Sequence, residues 1–167
     1  NALVGCVSVA MSQIMHYWNN PSNGNGYVSY YHPEYGVIDA DFENTSYNFN
    51  DMSDNSANTS SQLLLFHAGV AVEMDYGESG SGAYVCYTNL NAKTALRDHF
   101  NYDDQINCIS RNNYEENEWK ELLIEQLDKG WPVIYRAYTN EGEAGHAWNV
   151  DGYSGNLFHC NWGWGGS

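Results

Sequence analysis

The order of hydrophobic patterns along the chain restricts its fold more than any other feature of the sequence. Four segments are predicted as helices: 7–18, 60–74, 88–100 and 115–129. In the first, apolar residues recur at the three- and four-residue spacing of an amphipathic helix. Three strand-like runs then close the sequence, at 132–138, 146–153 and 157–162. Because helices and strands do not alternate in βαβ fashion, the pattern predicts an α+β fold with a mostly antiparallel C-terminal sheet.

The segments between these elements have the composition of loops and turns. Residues 22–58 are rich in Asn, Asp, Gly, Ser and Tyr, with short strands predicted at 27–31 and 37–42. Residues 77–82 form a glycine-rich loop. Ser154-Gly155-Asn156 has the composition of a tight hairpin between the last two strands.

The length and the charge of the chain limit its organisation and its partners. The 167 residues suffice for one core, so we predict a single domain over 1–167, with a helical part over about 1–130 and a sheet part over about 131–167. The net charge of −15 would repel a phosphate backbone, so we expect no nucleic-acid partner. No run reaches the roughly 18 apolar residues of a spanning helix, so we predict no membrane insertion.

Four cysteines raise the question of metal binding, disulfides or catalysis. Cys6, Cys86, Cys108 and Cys160 form no CxxC pair and match no zinc-binding spacing, so we predict no metal site and no cofactor. Disulfides remain open from the sequence. Cys160 is predicted to belong to the core.

The first cysteine has the surroundings that nucleophilic chemistry needs. Cys6 follows Gly5 at the start of the first predicted helix, where the helix dipole stabilises a thiolate. A thiolate nucleophile also needs a base, and the base needs a group that orients its ring. His146 begins one predicted strand and Asn161 lies on the next, so a hairpin could bring the two together.

Several motifs together resemble the streptopain family of papain-like cysteine peptidases. They are the Gly-Cys-Val that opens the first helix, the stretch Glu-Met-Asp-Tyr-Gly at 73–77, "GHAW" around His146 and "NWGWGG" from Asn161. His146 lies roughly 130–150 residues after Cys6, as in papain-type enzymes. The resemblance spans nearly the whole chain, and it implies a papain-like fold with the nucleophile helix packed on the C-terminal sheet.

The resemblance also implies roles for individual residues. Cys6 would attack the scissile carbonyl to give a thioester acyl-enzyme, with its own backbone N–H as an oxyanion donor. His146 would act as the base, Asn161 would orient the imidazole, and Trp162 would shield their hydrogen bond from water. The substrate-binding residues implied in the same way are Ser79, Gly80, Ser81, Gly82, Ala144 and Gly145.

The resemblance further implies a secreted endopeptidase made as a zymogen, without metal or cofactor. Its expected partners are protein or peptide substrates, and a pro-segment or a proteinaceous inhibitor. Papain-like enzymes use a glutamine before the nucleophile as a second oxyanion donor, and none precedes Cys6 here. Gln13 lies two turns after Cys6 and is poorly placed to replace it. We therefore expect that the domain continues beyond both ends of this sequence.

Three alternatives to these assignments remain open from the sequence. His159 lies two residues before Asn161 and is a rival for the base. The 14 tyrosines and 6 tryptophans could instead serve an aromatic-rich module that binds carbohydrate or protein. A papain-like chain that has lost its oxyanion donor could be a catalytically inactive scaffold.

Overall fold

The computed structural model describes residues 1–53, 56–139 and 145–164, which form four helices and five strands. Two single turns of 3₁₀-helix lie at Phe49–Asp51 and Arg111–Asn113. In chain order the elements are α1 Cys6–Trp18, β1 Tyr27–His32, β2 Gly36–Asp41, α2 Thr59–Ala71, α3 Ala92–His99, α4 Glu116–Asp128, β3 Val133–Tyr138, β4 Gly145–Ser154 and β5 Leu157–Asn161.

The described strands form two antiparallel sheets, as the sequence predicts. The hairpin β1–β2 packs against α2, and β4 is the central strand of the three-stranded sheet β3–β4–β5. Gly155, with a φ of 58°, supplies the left-handed residue of the turn between β4 and β5. In this sheet Asn149 and Asn161 are direct cross-strand partners.

Two helices are shorter than their predicted ranges. The prediction extends α2 to residue 74, but Glu73 adopts a left-handed φ of 48°, which ends the helix and directs Met74 into the core. The prediction begins α3 at residue 88, but the capping box between Asn91 and Thr94 starts the helix at residue 92.

Helix α1 lies at the centre of the molecule. It packs against α2 and against strand β4. Its buried face carries Val7, Met11 and Met15, which share one core with Ala147 of β4. Because the same core holds both elements, the start of α1 and the start of β4 are fixed to each other by apolar packing.

The cysteines divide into one disulfide and two free thiols. Cys86 and Cys108 are bonded, and their disulfide joins the loops that flank α3. Cys6 and Cys160 are free and partly buried. Among the described residues, no helix has the length and apolar character needed to cross a bilayer.

Candidate active site

The structure places Cys6 as the first residue of α1. Gly5 precedes it with a φ of 88° and ψ of 135°, so the chain enters the helix through a conformation that glycine adopts without strain. No side chain caps the helix, and its first turn contains no acidic residue. The free N–H groups and the dipole of α1 are therefore directed toward any negative charge that develops at Cys6.

The glycine-rich loop lies directly beside this helix start. A Cβ added at Gly5 would lie 3.3 Å from the Cβ of Ser81 and 2.8 Å from the sulfur of Met74. The Ser81 hydroxyl donates to the Leu3 carbonyl at 2.6 Å and accepts from the Gly77 N–H at 3.1 Å. Ser81 thus joins the loop to the segment that leads into Cys6.

The other predicted residues of this loop face open space. Ser79, Gly80 and Gly82 are exposed, and a Cβ built on either glycine would meet nothing within 4 Å. Asp75 and Gly82 exchange two backbone hydrogen bonds, which close the loop at its base. The loop therefore presents a rim of exposed backbone close to the nucleophile helix.

His146 is the second residue of β4, and its ring orientation is set by a carbonyl. Its Nε2 lies 3.0 Å from the backbone oxygen of Trp162. A carbonyl can only accept, so Nε2 carries the proton and the neutral ring keeps its lone pair on Nδ1. Among the described residues, no hydrogen bond joins the Cys6 sulfur to His146.

Asn161 does not make the hydrogen bond to His146 that the sequence predicts. Its Oδ1 accepts from Nε2 of Gln13 at 3.0 Å and from the Gly163 N–H at 3.1 Å. The Gly163 N–H and the Trp162 carbonyl belong to the same planar peptide group. Asn161 therefore contacts His146 through one intervening peptide group rather than directly.

Three indoles surround the His146 imidazole. Ring centroids lie 4.8 Å away for Trp164, 6.0 Å for Trp148 and 6.2 Å for Trp162. The Trp162 side chain is 38% exposed and that of Trp164 is 65% exposed. Such faces attract a cation, and the lower local dielectric around them strengthens the hydrogen bonds inside the cluster.

The segment that carries the Trp162 carbonyl rests on the first turns of α1. A Cβ added at Gly163 would lie 2.8 Å from Cγ1 of Val9, and Gly163 has a left-handed φ of 73°. Only glycine allows this close approach in this conformation. The partner of His146 is thereby packed one turn after Cys6.

Gly145 lies at the start of β4, opposite Tyr138 of β3. A Cβ at Gly145 would lie 2.7 Å from the Tyr138 ring, so the ring packs against one side of this glycine, which is otherwise exposed. Ala144, the other substrate-binding residue predicted here, lies outside the described residues. His159, the rival base, bonds to Asp151 through Nδ1.

Sequence reasoning did not consider Asn149, and it considered Gln13 only as an oxyanion donor, although the two are hydrogen-bonded between α1 and β4. The amide of Asn149 donates to Gln13 Oε1 at 2.8 Å and to the Ala10 carbonyl at 3.0 Å. For Gln13 the sequence did contain a signal. It is a polar residue on a largely apolar helix, on the same side as Cys6 and two turns further along.

The sequence matches the peptidase C10 family model over residues 1–167. Streptopain of Streptococcus pyogenes is 30% identical over 185 residues, which cover 99% of this chain and 44% of that protein. Thiol protease/hemagglutinin PrtT of Porphyromonas gingivalis is 33% identical over 176 residues, which cover 99% of this chain and 20% of that protein. The chain thus spans less than half the length of these curated relatives.

Two solved structures have the same fold. The active wild-type interpain A cysteine protease of Prevotella intermedia matches with a TM-score of 0.88 and 34% identity, over 99% of this chain and 72% of that one. A fragment of prointerpain A from the same organism matches with a TM-score of 0.87 and 34% identity, over 99% and 55%. The predicted papain-like α+β fold is thereby confirmed.

Proposed function

We propose that this chain, which belongs to the peptidase C10 family, is the catalytic part of a cysteine endopeptidase with Cys6 as nucleophile and His146 as base. The observation that carries the proposal is the hydrogen bond from His146 Nε2 to the Trp162 carbonyl. That bond leaves Nδ1 as the basic nitrogen of a ring on β4, the strand that packs against the Cys6 helix.

The chemistry begins with proton transfer from the Cys6 thiol to His146 Nδ1. The thiolate is stabilised by the uncapped start of α1, and the imidazolium by the surrounding indole faces. Hydrogen bonds of this type often tighten only when substrate binds, so a thiol–imidazole pair can form in the complex. Substrate binding would also exclude water and strengthen the attraction between the two charges.

The thiolate then attacks the scissile carbonyl carbon, and the oxygen takes up the negative charge. The Cys6 backbone N–H, at the start of α1, is the donor we propose for this oxyanion. Collapse of the intermediate breaks the C–N bond as the imidazolium gives its proton to the leaving amine, which produces a thioester. Water, deprotonated by His146, hydrolyses the thioester and regenerates the thiol.

Asn161 and Trp162 act on His146 in different ways in this scheme. The Trp162 backbone carbonyl fixes the ring and its tautomer, and its indole shields the hydrogen bond. Asn161 holds the peptide group of that carbonyl through the Gly163 N–H. Asn161 is therefore a positioning residue in our proposal.

The substrate would be an extended protein or peptide segment beside the start of α1. We propose Ser79, Gly80, Ser81 and Gly82 as one border of this groove and Ala144 with Gly145 as the other. The exposed backbone of the loop supports hydrogen bonding to a substrate strand. From the relatives we also propose secretion and synthesis with a pro-segment, as the name prointerpain A indicates for that protein.

Peptide hydrolysis by the full chain tests this function. Wild type and Cys160→Ala, which removes the other free cysteine of the described residues, are expected to hydrolyse a protein substrate equally well. Cys6→Ala is expected to lose at least about a thousandfold in kcat, since it removes the thiol that we propose forms the thioester. Equal activity of Cys6→Ala and wild type would refute the mechanism, and an inactive wild type would favour the scaffold alternative.

A further inference from the structure

A chain of side-chain amides crosses the interface between α1 and the β4–β5 hairpin. Asn149 Nδ2 donates to the Ala10 carbonyl at 3.0 Å and to Gln13 Oε1 at 2.8 Å, and Gln13 Nε2 donates to Asn161 Oδ1 at 3.0 Å. We propose that Gln13 and Asn149 are positioning residues that hold the nucleophile helix and the His146 imidazole in one geometry. This inference rests on the proposed peptidase function.

The last link of the chain is the peptide group between Trp162 and Gly163. Asn161 Oδ1 accepts its N–H at 3.1 Å, and His146 Nε2 bonds to its carbonyl at 3.0 Å. Because the group is planar, a hydrogen bond at one end fixes the direction of the other end. The N–H bond also polarises the group and so strengthens the bond at its carbonyl.

The direction of every amide in this chain is set by the backbone of α1. The Ala10 carbonyl can only accept, so it requires the Nδ2 of Asn149 rather than Oδ1. Asn149 Nδ2 then requires the oxygen of Gln13, and the nitrogen of Gln13 requires the oxygen of Asn161. Reversing any member would place two donors or two acceptors face to face.

Because Asn149 is buried, breaking the hydrogen bonds of this amide chain would cost free energy. Asn149 is 3% exposed, and its Oδ1 has no hydrogen-bond partner among the described residues, so both of its bonds go to α1. Water cannot easily replace a lost partner at such a site. The amide chain therefore transmits the position of α1 to the His146 ring.

The position of Gln13 on α1 separates this role from substrate contact. Gln13 lies on the same side of the helix as Cys6, about 10 Å further along its axis. Hydrogen bonds made by Gln13 at that distance fix the rotation of α1 about its axis, and hence the direction of the Cys6 thiol. Gln13 itself does not contact the reacting atoms. We therefore expect substitution of Gln13 to lower kcat, which reports the chemical step, more than it changes KM.

Gln13→Glu in the full chain tests the inference, because it removes the Nε2 donor with little change of volume. Asn161 would turn its Nδ2 toward the new carboxylate, and the Gly163 N–H would lose its acceptor. We expect kcat to fall about ten- to a hundredfold while KM changes less than about twofold. Gln62→Glu, the same change at an exposed position of α2, is the matched control and should leave both constants unchanged.

A comparison of two variants at Asn161 and a spectroscopic measurement distinguish positioning from general destabilisation. Asn161→Asp keeps an oxygen that can accept both hydrogen bonds, so it should lose less kcat than Asn161→Leu, which keeps neither bond. In ¹⁵N-histidine-labelled protein, the His146 Nε2–H signal should be protected from solvent exchange in wild type and broadened in Gln13→Glu. If wild type and Gln13→Glu have equal kcat and equally protected His146 Nε2–H signals, the inference is wrong, and the proposed Cys6-dependent peptidase function is unaffected. A wild type without Cys6-dependent activity would refute the proposed function, and this inference with it.

Discussion

Gly163→Ala is the substitution whose cost the structure determines most fully. An alanine would have to adopt a φ of 73°, which costs about 1 kcal/mol or slightly more for an L-residue. Its Cβ would lie 2.8 Å from Cγ1 of Val9, and overpacking of this kind costs about 1–3 kcal/mol. The lower entropy of the unfolded chain offsets about 0.5 kcal/mol of this cost, so we expect a net loss of about 1.5–3.5 kcal/mol in unfolding free energy.

A double-mutant cycle with Val9→Ala separates the two contributions. Val9→Ala removes the methyl group that the new Cβ would meet, so the double variant should recover about 1–2 kcal/mol relative to the sum of the single effects. Gly155→Ala is the matched control, because Gly155 has a φ of 58° and a Cβ there meets nothing within 4 Å. It should show only the backbone cost.

Urea unfolding in a Cys6→Ala background, where self-digestion is absent, measures these free energies. In the catalytically active chain, Gly163→Ala should also lower kcat, because the displaced peptide group carries the carbonyl that orients His146. Two results together would refute the close packing of the Gly163 segment on α1. The unfolding free energies of Gly163→Ala and Val9→Ala would be strictly additive, and Gly163→Ala and Gly155→Ala would lose equal unfolding free energy.

Two further predictions concern stability. Burial lowers the pKa of His67, whose Nδ1 shares a hydrogen bond with the Tyr47 hydroxyl at 2.8 Å. Below about pH 6.5 the unfolded chain therefore binds a proton that the folded chain does not. Unfolding free energy should therefore fall as pH decreases below about 6.5, and His67→Gln should reduce this slope; equal slopes in the two proteins would contradict the assignment. Replacing the disulfide by Cys86→Ala with Cys108→Ala should cost about 3 kcal/mol in urea unfolding, given the sequence separation of 22, whereas a loss below about 1 kcal/mol would contradict a constraint on the unfolded chain.

The fold could be predicted from the sequence where the hydrophobic periodicity agrees with the residues that begin and end helices. The predicted ranges 7–18 and 115–129 placed α1 and α4 to within about one residue at each end. The end of α2 was predicted less well, because Glu73 adopts a left-handed φ that its residue type rarely adopts. The predicted range of α3 began before the helix does, although Asn91, a candidate cap, forms a local capping box with Thr94. The Cys86–Cys108 pairing also requires three-dimensional proximity that spacing does not reveal.

The site shows the same division between pattern and geometry. The motifs predict Cys6 and His146 as the catalytic pair, and the two residues lie on elements that share one core. They could not reveal that a backbone carbonyl, that of Trp162, receives the His146 hydrogen bond, since backbone groups carry no signal in the sequence. Gln13 was considered only as an oxyanion donor, because its link to Asn161 crosses between segments far apart in the chain.

Reaction of the full chain with a thiol-directed epoxide tests the activation of Cys6 by His146 most directly. The two free thiols of the described residues, Cys6 and Cys160, are both partly buried, so accessibility alone favours neither strongly. We predict one rapid adduct per molecule, located at Cys6 by peptide mass mapping and slowed at least about a hundredfold by His146→Ala. Comparable slow labelling of both cysteines, unaffected by His146→Ala, would contradict the account.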